Sequence, residues 1–159
     1  MTEESRITDE MRAVIGKEGE PVRLELDKTT IRWFARAVGH TDLIFYDEDY
    51  AKGKGHRSIV APPGFLGQAT YVPGRTISIR GFPPMPGLKV SRALNGGTAF
   101  EYYGEEVCAG DVLTRVTKIA DLQERAGRIG NMLIISGESN YYNQDGKLVA
   151  TERNTELLY

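Results

Sequence analysis

Apolar residues recur with a helical period near the front of the chain. One stretch places them at i, i+3, i+4 and i+7, namely Ile31, Phe34, Ala35 and Val38. This spacing predicts a helix with a single apolar face. Residues 27–30 offer capping side chains ahead of it, and Gly39 is placed to end it.

Three shorter segments of the front half have weaker patterns. Pro21 to Leu26 is typical of a short strand, and Asp47 to Lys52 predicts a turn of helix capped by the Asp47 carboxylate. The stretch Ile59 to Gly74 predicts a buried strand and then a helix. That helix is expected to begin at the prolines, to end before Pro73, and to bury Phe65, Leu66 and Ala69.

From Ser91 onward the pattern changes to long strands bounded by glycines. Asp145-Gly146 indicates a hairpin turn, since both residue types accept positive φ. The segment from Arg80 to Val90, rich in proline and glycine, is interpreted as a long ordered loop. Helices followed by an antiparallel meander predict an α+β fold, and strands of this length can wrap around one central helix.

Composition narrows the function classes. The 159 residues are expected to form one domain, 1–159, with a loosely ordered segment at 1–20. A formal charge of -2 with scattered basic residues argues against nucleic acid, and the chain offers no run apolar enough for a membrane span or a secretory signal. A cytoplasmic location is therefore expected. The single Cys108 and two histidines provide no metal-ligand spacing, so no metal is expected.

Four segments carry a resemblance to a known family. They are "FARAVGHTDLIFYDEDYAKGKGHRSIVAPPGF", "LNGGTAFEYYGEEVCAGDVL", "RAGRIGNMLII" and "YYNQDGKLVATERNT". In this order they resemble the MaoC-like hydratase/dehydratase family, in its branch related to a fungal-type fatty acid synthase dehydratase domain. The resemblance implies a hot-dog fold, a curved antiparallel sheet around a central helix that pairs with a second hot-dog. It also implies hydration of trans-2-enoyl thioesters, carried on coenzyme A or acyl-carrier protein, with no other cofactor.

The resemblance also implies where the acid/base residues belong. Active members carry Gly-Asp-x-Asn-Pro-x-His-x-Asp, in which the first Asp and the His form the catalytic pair. Aligned on Gly39, the motif places His40 at the Asp position and Phe45 at the His position, with Asp42 at the Asn position. A phenylalanine carries no proton, and a histidine lacks the charge and shape of a carboxylate. The usual mechanism therefore cannot run on this chain as written.

The thioester-binding element of the family is altered as well. Many active members open the central helix with Ala-His-Gly, whereas this chain has Ala61-Pro62-Pro63-Gly64. Proline has no N–H to donate, which leaves Gly64 as the candidate donor to a thioester oxygen. Phe45, Tyr46, Gly64 and Phe65 are expected to contact substrate.

Two arginines are candidate ligands for phosphate. Arg57 and Arg128 lie in glycine-rich stretches and are expected to meet the phosphates of coenzyme A. Both also have the simpler explanation of ordinary surface charge.

Three functions stay open at this point. The chain is a non-catalytic, pocket-forming partner of an active MaoC-like subunit, or a homodimeric hydratase with a rearranged site using His40 or Asp42 helped by Tyr46 or His56. Otherwise it is an acyl-CoA-binding or thioesterase-like module. All three functions imply an acyl-CoA partner. They differ in whether the chain forms a homodimer or assembles with a second chain as a heterodimer or heterotetramer. His40, Asp42 and Asp47 also have a structural explanation, because such residues commonly cap turns and helices.

Overall fold

A computed structural model describes residues 5–74, 81–89, 92–127 and 130–159. Its six strands form one antiparallel sheet in the order β2-β1-β4-β5-β6-β3. Their bounds are β1 Val22–Glu25, β2 Gln68–Ala69, β3 Ala93–Tyr102, β4 Val112–Gly127, β5 Gly130–Tyr142 and β6 Leu148–Leu158. The predicted α+β meander is confirmed.

The turn between β5 and β6 lies where the sequence indicated it. Asn143 folds its side chain back so that Oδ1 accepts from the backbone N–H groups of Asp145 (3.0 Å) and Lys147 (2.9 Å). Gly146 adopts φ +75°, a conformation that costs a glycine little. The hairpin fixes the register in which Tyr141 faces Ala150.

The helices are short and precede the long strands. Their bounds are α1 Asp9–Arg12, α2 Lys28–Ala37 and α3 Glu48–Gly53, with a 3₁₀ turn at Leu43–Phe45. Asp27 caps α2 by accepting from the N–H groups of Thr29 (2.9 Å) and Thr30 (3.0 Å). Ile31 and Ala35 on this helix are fully buried, and burial of an isoleucine side chain contributes roughly 1.5–3 kcal/mol.

The helix predicted after the prolines is absent from the described residues 62–74. Gly64 (φ +88°) and Gly67 (φ +94°) have backbone conformations that a helix cannot contain. The chain then pairs with β1 through Gln68 and Ala69. Phe65 and Leu66 are buried as predicted, but Ala69 is exposed. The long helix that packs on the sheet is therefore α2.

The N-terminal segment is packed rather than loose over residues 5–20. Ile7 and Met11 are buried in a cluster with Ile119 of β4 and Ile135 of β5. Gly16 N–H donates to the Ile119 carbonyl (2.8 Å), which ties the segment to the sheet. The prediction of loose order overlooked these apolar anchors.

The segment 81–89 crosses the same cluster without regular secondary structure. Phe82, Met85 and Leu88 pack against it, so the loop interpretation holds for these residues, while Arg80 and Val90 lie outside the described part of the chain. Phe82 lies over Gly137, where a Cβ would meet its ring at 2.6 Å. Within the described ranges, no helix has the length and apolar character needed to cross a bilayer.

Candidate functional site

His40 and Phe45 contact each other just beyond the end of α2. Gly39 (φ +80°) turns the chain, and His40 N–H donates to the Ala35 carbonyl (2.9 Å). The His40 ring then packs on the Phe45 ring with centroids 5.1 Å apart, and Phe45 is only 8% exposed. The imidazole is therefore seated on the ring of a buried phenylalanine.

Asp42 and Tyr46 have structural partners in this segment. Asp42 Oδ1 accepts from Ile44 N–H (3.0 Å) and caps the 3₁₀ turn. The Tyr46 hydroxyl donates to the His40 carbonyl (2.5 Å), and Arg32 Nε donates to the Tyr46 carbonyl (2.9 Å). These bonds fix the shape of the segment.

The carboxylates that follow also stabilise local structure. Asp47 Oδ1 accepts from Tyr50 N–H (2.8 Å) and caps α3, as the sequence predicts. Glu48 pairs with Lys28 and with Lys52 (3.0 Å), and these bonds lower its pKa to about 2. A carboxylate held ionised by two lysines is a poor proton donor near neutral pH.

The turn at Pro63 and Gly64 is tied to α2, to the segment between β3 and β4, and to the end of β3. Ala61 N–H donates to the Val107 carbonyl (2.8 Å), and Phe65 packs on Phe34 with ring centroids 5.2 Å apart. Gly64 N–H donates to the Tyr102 hydroxyl oxygen (2.7 Å). The candidate donor to a thioester oxygen is thus already bonded within the chain.

Beside this turn lies a cleft of about 170 Å³, which we call the turn cleft. Its apolar walls are Val60, Ala61, Pro63, Phe65, Leu66 and Val107. Its polar side consists of Tyr102, Glu105 and Glu106. Burial raises the pKa of Tyr102 above its ordinary value of 10.0, so the hydroxyl keeps its proton at neutral pH. Phe45, Tyr46 and His40 do not line this cleft.

Glu106 connects the turn cleft to His56. The His56 ring donates from Nδ1 to Glu106 Oε1, and Arg57 N–H donates to Oε2 (3.3 Å). Burial acts to raise the pKa of Glu106, but hydrogen bonds from His56, Cys108 and Arg57 outweigh it and the pKa lies below the ordinary value. His56 is therefore half-buried and paired.

Arg57 is engaged by a buried carboxylate. Nη1 donates to Asp111 Oδ1 (2.9 Å) and Nη2 to Oδ2 (2.7 Å), with Nη2 also reaching the Glu106 carbonyl (3.0 Å). Asp111 is 5% exposed and also accepts from Cys108 N–H (2.9 Å). Desolvation acts against its charge, but these bonds prevail and lower the pKa of Asp111. The geometry favours a structural role for Arg57, and its phosphate contact stays a prediction.

Two further residues named from the sequence are Arg128 and Cys108. Arg128 lies outside the described residues. Cys108 is fully buried, and burial raises the pKa of its thiol to about 11, so the thiolate is not activated. In the described part of the chain, no group of three or more His, Cys, Asp or Glu side chains is arranged to hold a metal ion.

Sequence reasoning missed Glu105, Glu106 and Asp111. They lie in "YGEEVCAGD", between β3 and β4. The sequence feature that could have identified them is the pair of adjacent carboxylates next to small residues. A larger open trough of about 440 Å³ exists elsewhere on the sheet, beside the Glu138–Arg153 ion pair. None of the predicted site residues lines this trough.

Residues 13–152 match the family described as FAS1-like, dehydratase domain region. A UPF0336 protein from Streptomyces griseus is 33% identical over 128 residues, covering 80% of this chain and 79% of that protein. A "Probable enoyl-CoA hydratase alpha subunit" from Thermomonospora curvata is 27% identical over 157 residues. That match covers 90% of this chain and 49% of the relative.

Two solved structures are similar in fold. The ChsH1-ChsH2 complex from Mycobacterium tuberculosis gives a TM-score of 0.74 at 16% identity, covering 96% of this chain and 90% of that chain. The HadBC (3R-hydroxyacyl-ACP dehydratase) complex from the same organism gives 0.67 at 21% identity, with coverages of 95% and 98%. The curled sheet and its helix therefore have the predicted hot-dog fold.

Proposed function

The chain belongs to the FAS1-like dehydratase domain family, a MaoC-like hot-dog group, and from this premise we propose that it is the pocket-forming subunit of an enoyl-thioester hydratase. Its partner, an active MaoC-like chain, supplies the catalytic Asp and His. The reaction is reversible addition of water to a trans-2-enoyl thioester carried on coenzyme A or acyl-carrier protein.

The observation that supports the proposal is which residues occupy the two positions that the motif resemblance assigns to the acid/base pair, namely His40 and Phe45. Phe45 cannot transfer a proton, and it is buried under the His40 ring. Asp42, the other candidate, is committed to capping the 3₁₀ turn. Hydration needs a base within hydrogen-bond reach of the α-carbon and an acid for the other proton. This arrangement supports catalysis by residues of another chain.

The similar proteins support a two-chain enzyme. Both solved structures are complexes, and the relative from Thermomonospora curvata bears a name that denotes one subunit of an enoyl-CoA hydratase. This chain spans about half of that relative. An enoyl-CoA substrate, as in the name of that relative, is therefore proposed for this chain.

The outer edge of the sheet, as formed by the described residues, supports pairing with a second hot-dog. β3 is a ten-residue strand whose side chains are mostly exposed, including Leu94 at 52%. It pairs with β6 on one side and is the last strand in the sheet order on the other. An exposed edge of this length presents unpaired backbone groups that another strand can satisfy. We place the partner along β3.

Hydration of crotonyl-CoA and of bulkier enoyl-CoA substrates tests the proposal. The purified chain is assayed alone and together with a MaoC-like chain that carries the intact Asp/His motif. We expect turnover only from the pair, and loss of it when the partner's Asp or His is replaced. Turnover by this chain alone would overturn the proposal.

Two substitutions in this chain separate the remaining functions. His40→Ala and Asp42→Ala should leave kcat of the pair unchanged, because neither residue transfers a proton in it. If either variant abolishes hydration, the rearranged-site function is correct instead. If acyl-CoA binds and no combination of chains turns over, the chain is a binding module.

A further inference from the structure

The hydroxyl of Tyr102 can donate a hydrogen bond into the turn cleft. Its oxygen accepts from Gly64 N–H at 2.7 Å, which uses one lone pair and leaves the O–H free to donate. No described residue accepts from this hydroxyl. Tyr102 is 42% exposed and lines the turn cleft, so its O–H can donate to water or to an acceptor oxygen on a ligand held there.

The charged residues that line the turn cleft are both acidic, and each pairs with a basic residue that does not line it. Glu105 and Glu106 line it, and no lysine, arginine or histidine does so among the described residues. Glu106 is held as a carboxylate by His56 and by Arg57 N–H. Glu105 pairs with Lys147 (3.2 Å), whose side chain is 62% exposed. A negatively charged ligand would therefore meet like charge at the polar side, whereas a neutral one would not.

The size of the cleft limits what enters it. At about 170 Å³ it is smaller than the roughly 300–1,000 Å³ typical of pockets that enclose a whole ligand. Apolar walls and a single donor suit a short hydrocarbon segment that ends in an uncharged oxygen.

We propose that the turn cleft binds the neutral acyl end of a thioester through the Tyr102 hydroxyl and rejects the corresponding free carboxylate. This inference rests on the proposed function, because the thioester class comes from it. It adds a specificity-determining residue, Tyr102, and a reason for discrimination, the Glu105 and Glu106 carboxylates. The chain would thereby distinguish its substrate from the acid that thioester hydrolysis releases.

Binding to the full chain without any partner tests the inference. The probes are trans-2-hexenoyl N-acetylcysteamine thioester, which is neutral, and trans-2-hexenoate, which is an anion of the same acyl length. Calorimetric or NMR titration should show the thioester binding at least tenfold more tightly. Tyr102→Phe should weaken thioester binding about threefold to tenfold, the range expected for one hydrogen bond.

The adjacent tyrosine is the matched control. Tyr103 is 43% exposed against 42% for Tyr102, but its hydroxyl bonds to Thr151 Oγ1 (3.1 Å) rather than lining the cleft. Tyr103→Phe should leave thioester binding unchanged. Equal losses in the two variants, or no loss in Tyr102→Phe, would overturn the role of Tyr102.

Removal of the rim charges tests the discrimination separately. Glu105→Gln and Glu106→Gln should each tighten hexenoate binding about threefold to tenfold and leave thioester binding nearly unchanged. The Glu105 side chain is 40% exposed and pairs with the exposed Lys147, so its variant is informative even where Glu106→Gln destabilises the fold. Glu101→Gln, at an exposed residue of β3 paired with Arg153, should change neither affinity.

The outcomes distinguish this inference from the proposed function. Hexenoate that binds the native chain as tightly as the thioester, or a thioester that does not bind, would overturn the inference and leave the hydration result of the two-chain enzyme intact. Turnover by this chain alone would overturn the proposed function while the binding preference stood.

Discussion

The ion pair between Arg57 and Asp111 gives the sharpest expectation at the scale of single residues. Arg57→Ala would leave Asp111, 5% exposed, as a buried carboxylate without its main cation. Losing one partner of a fully buried pair costs roughly 3–5 kcal/mol. Because the Arg57 side chain is 55% exposed, we expect a smaller loss of about 2 kcal/mol in the free energy of unfolding. Urea denaturation measures it.

Arg153 provides the control for this prediction. Its side chain is 58% exposed and pairs with Glu101, which is 53% exposed. Arg153→Ala should therefore change the free energy of unfolding by less than about 1 kcal/mol. Similar losses in both variants would show that burial of the carboxylate is not what matters.

The contribution of the Arg57–Asp111 ion pair to stability should decrease in acid. The pKa of Asp111 is lowered by folding, so its contribution to stability is complete above the ordinary value of 3.8 and is lost as pH falls through the lower folded value. The stability difference between the native chain and Arg57→Ala should accordingly shrink below about pH 4. A difference that grows in acid would contradict the assignment.

At the scale of elements, Gly67 decides between the predicted helix and the observed turn. In a helix, Gly67→Ala would stabilise by about 1 kcal/mol. In the observed turn, φ is +94° and the new Cβ would meet the Glu25 carbonyl oxygen at 3.0 Å. We expect a loss of about 1–2 kcal/mol in the free energy of unfolding, measured by denaturant titration.

Gly53, the last residue of α3, is the control for Gly67. It has no positive φ, and a Cβ there would meet nothing within 4 Å. Gly53→Ala should be neutral or slightly stabilising, because alanine is the better helix former. A gain in stability from Gly67→Ala would favour the helix that the sequence predicts.

The elements that sequence predicts correctly are those whose signals are local. α2 follows from its apolar spacing and the Asp27 cap, and the β5–β6 turn follows from Asp145-Gly146. The helix predicted after the prolines was wrong because the conformation of that segment depends on its pairing with β1, which is distant in sequence. The same limit applies to the site. The motif identified His40 and Phe45, which lie together, but Gly64–Tyr102 and His56–Glu106 join residues 38 and 50 positions apart.

At the scale of the whole molecule, assembly through β3 is the property on which the proposed function depends. Leu94 is 52% exposed on this edge strand, and pairing with a second hot-dog would cover it. A leucine removed from water contributes roughly 1.5–3 kcal/mol, so Leu94→Lys should weaken association about tenfold or more. Analytical ultracentrifugation of the chain, with and without its active partner, measures the effect. Val38, 53% exposed at the end of α2, is the matched control, and Val38→Lys should leave association unchanged. If Leu94→Lys assembles normally while Val38→Lys does not, the partner lies against α2 and the edge of β3 remains free in the enzyme.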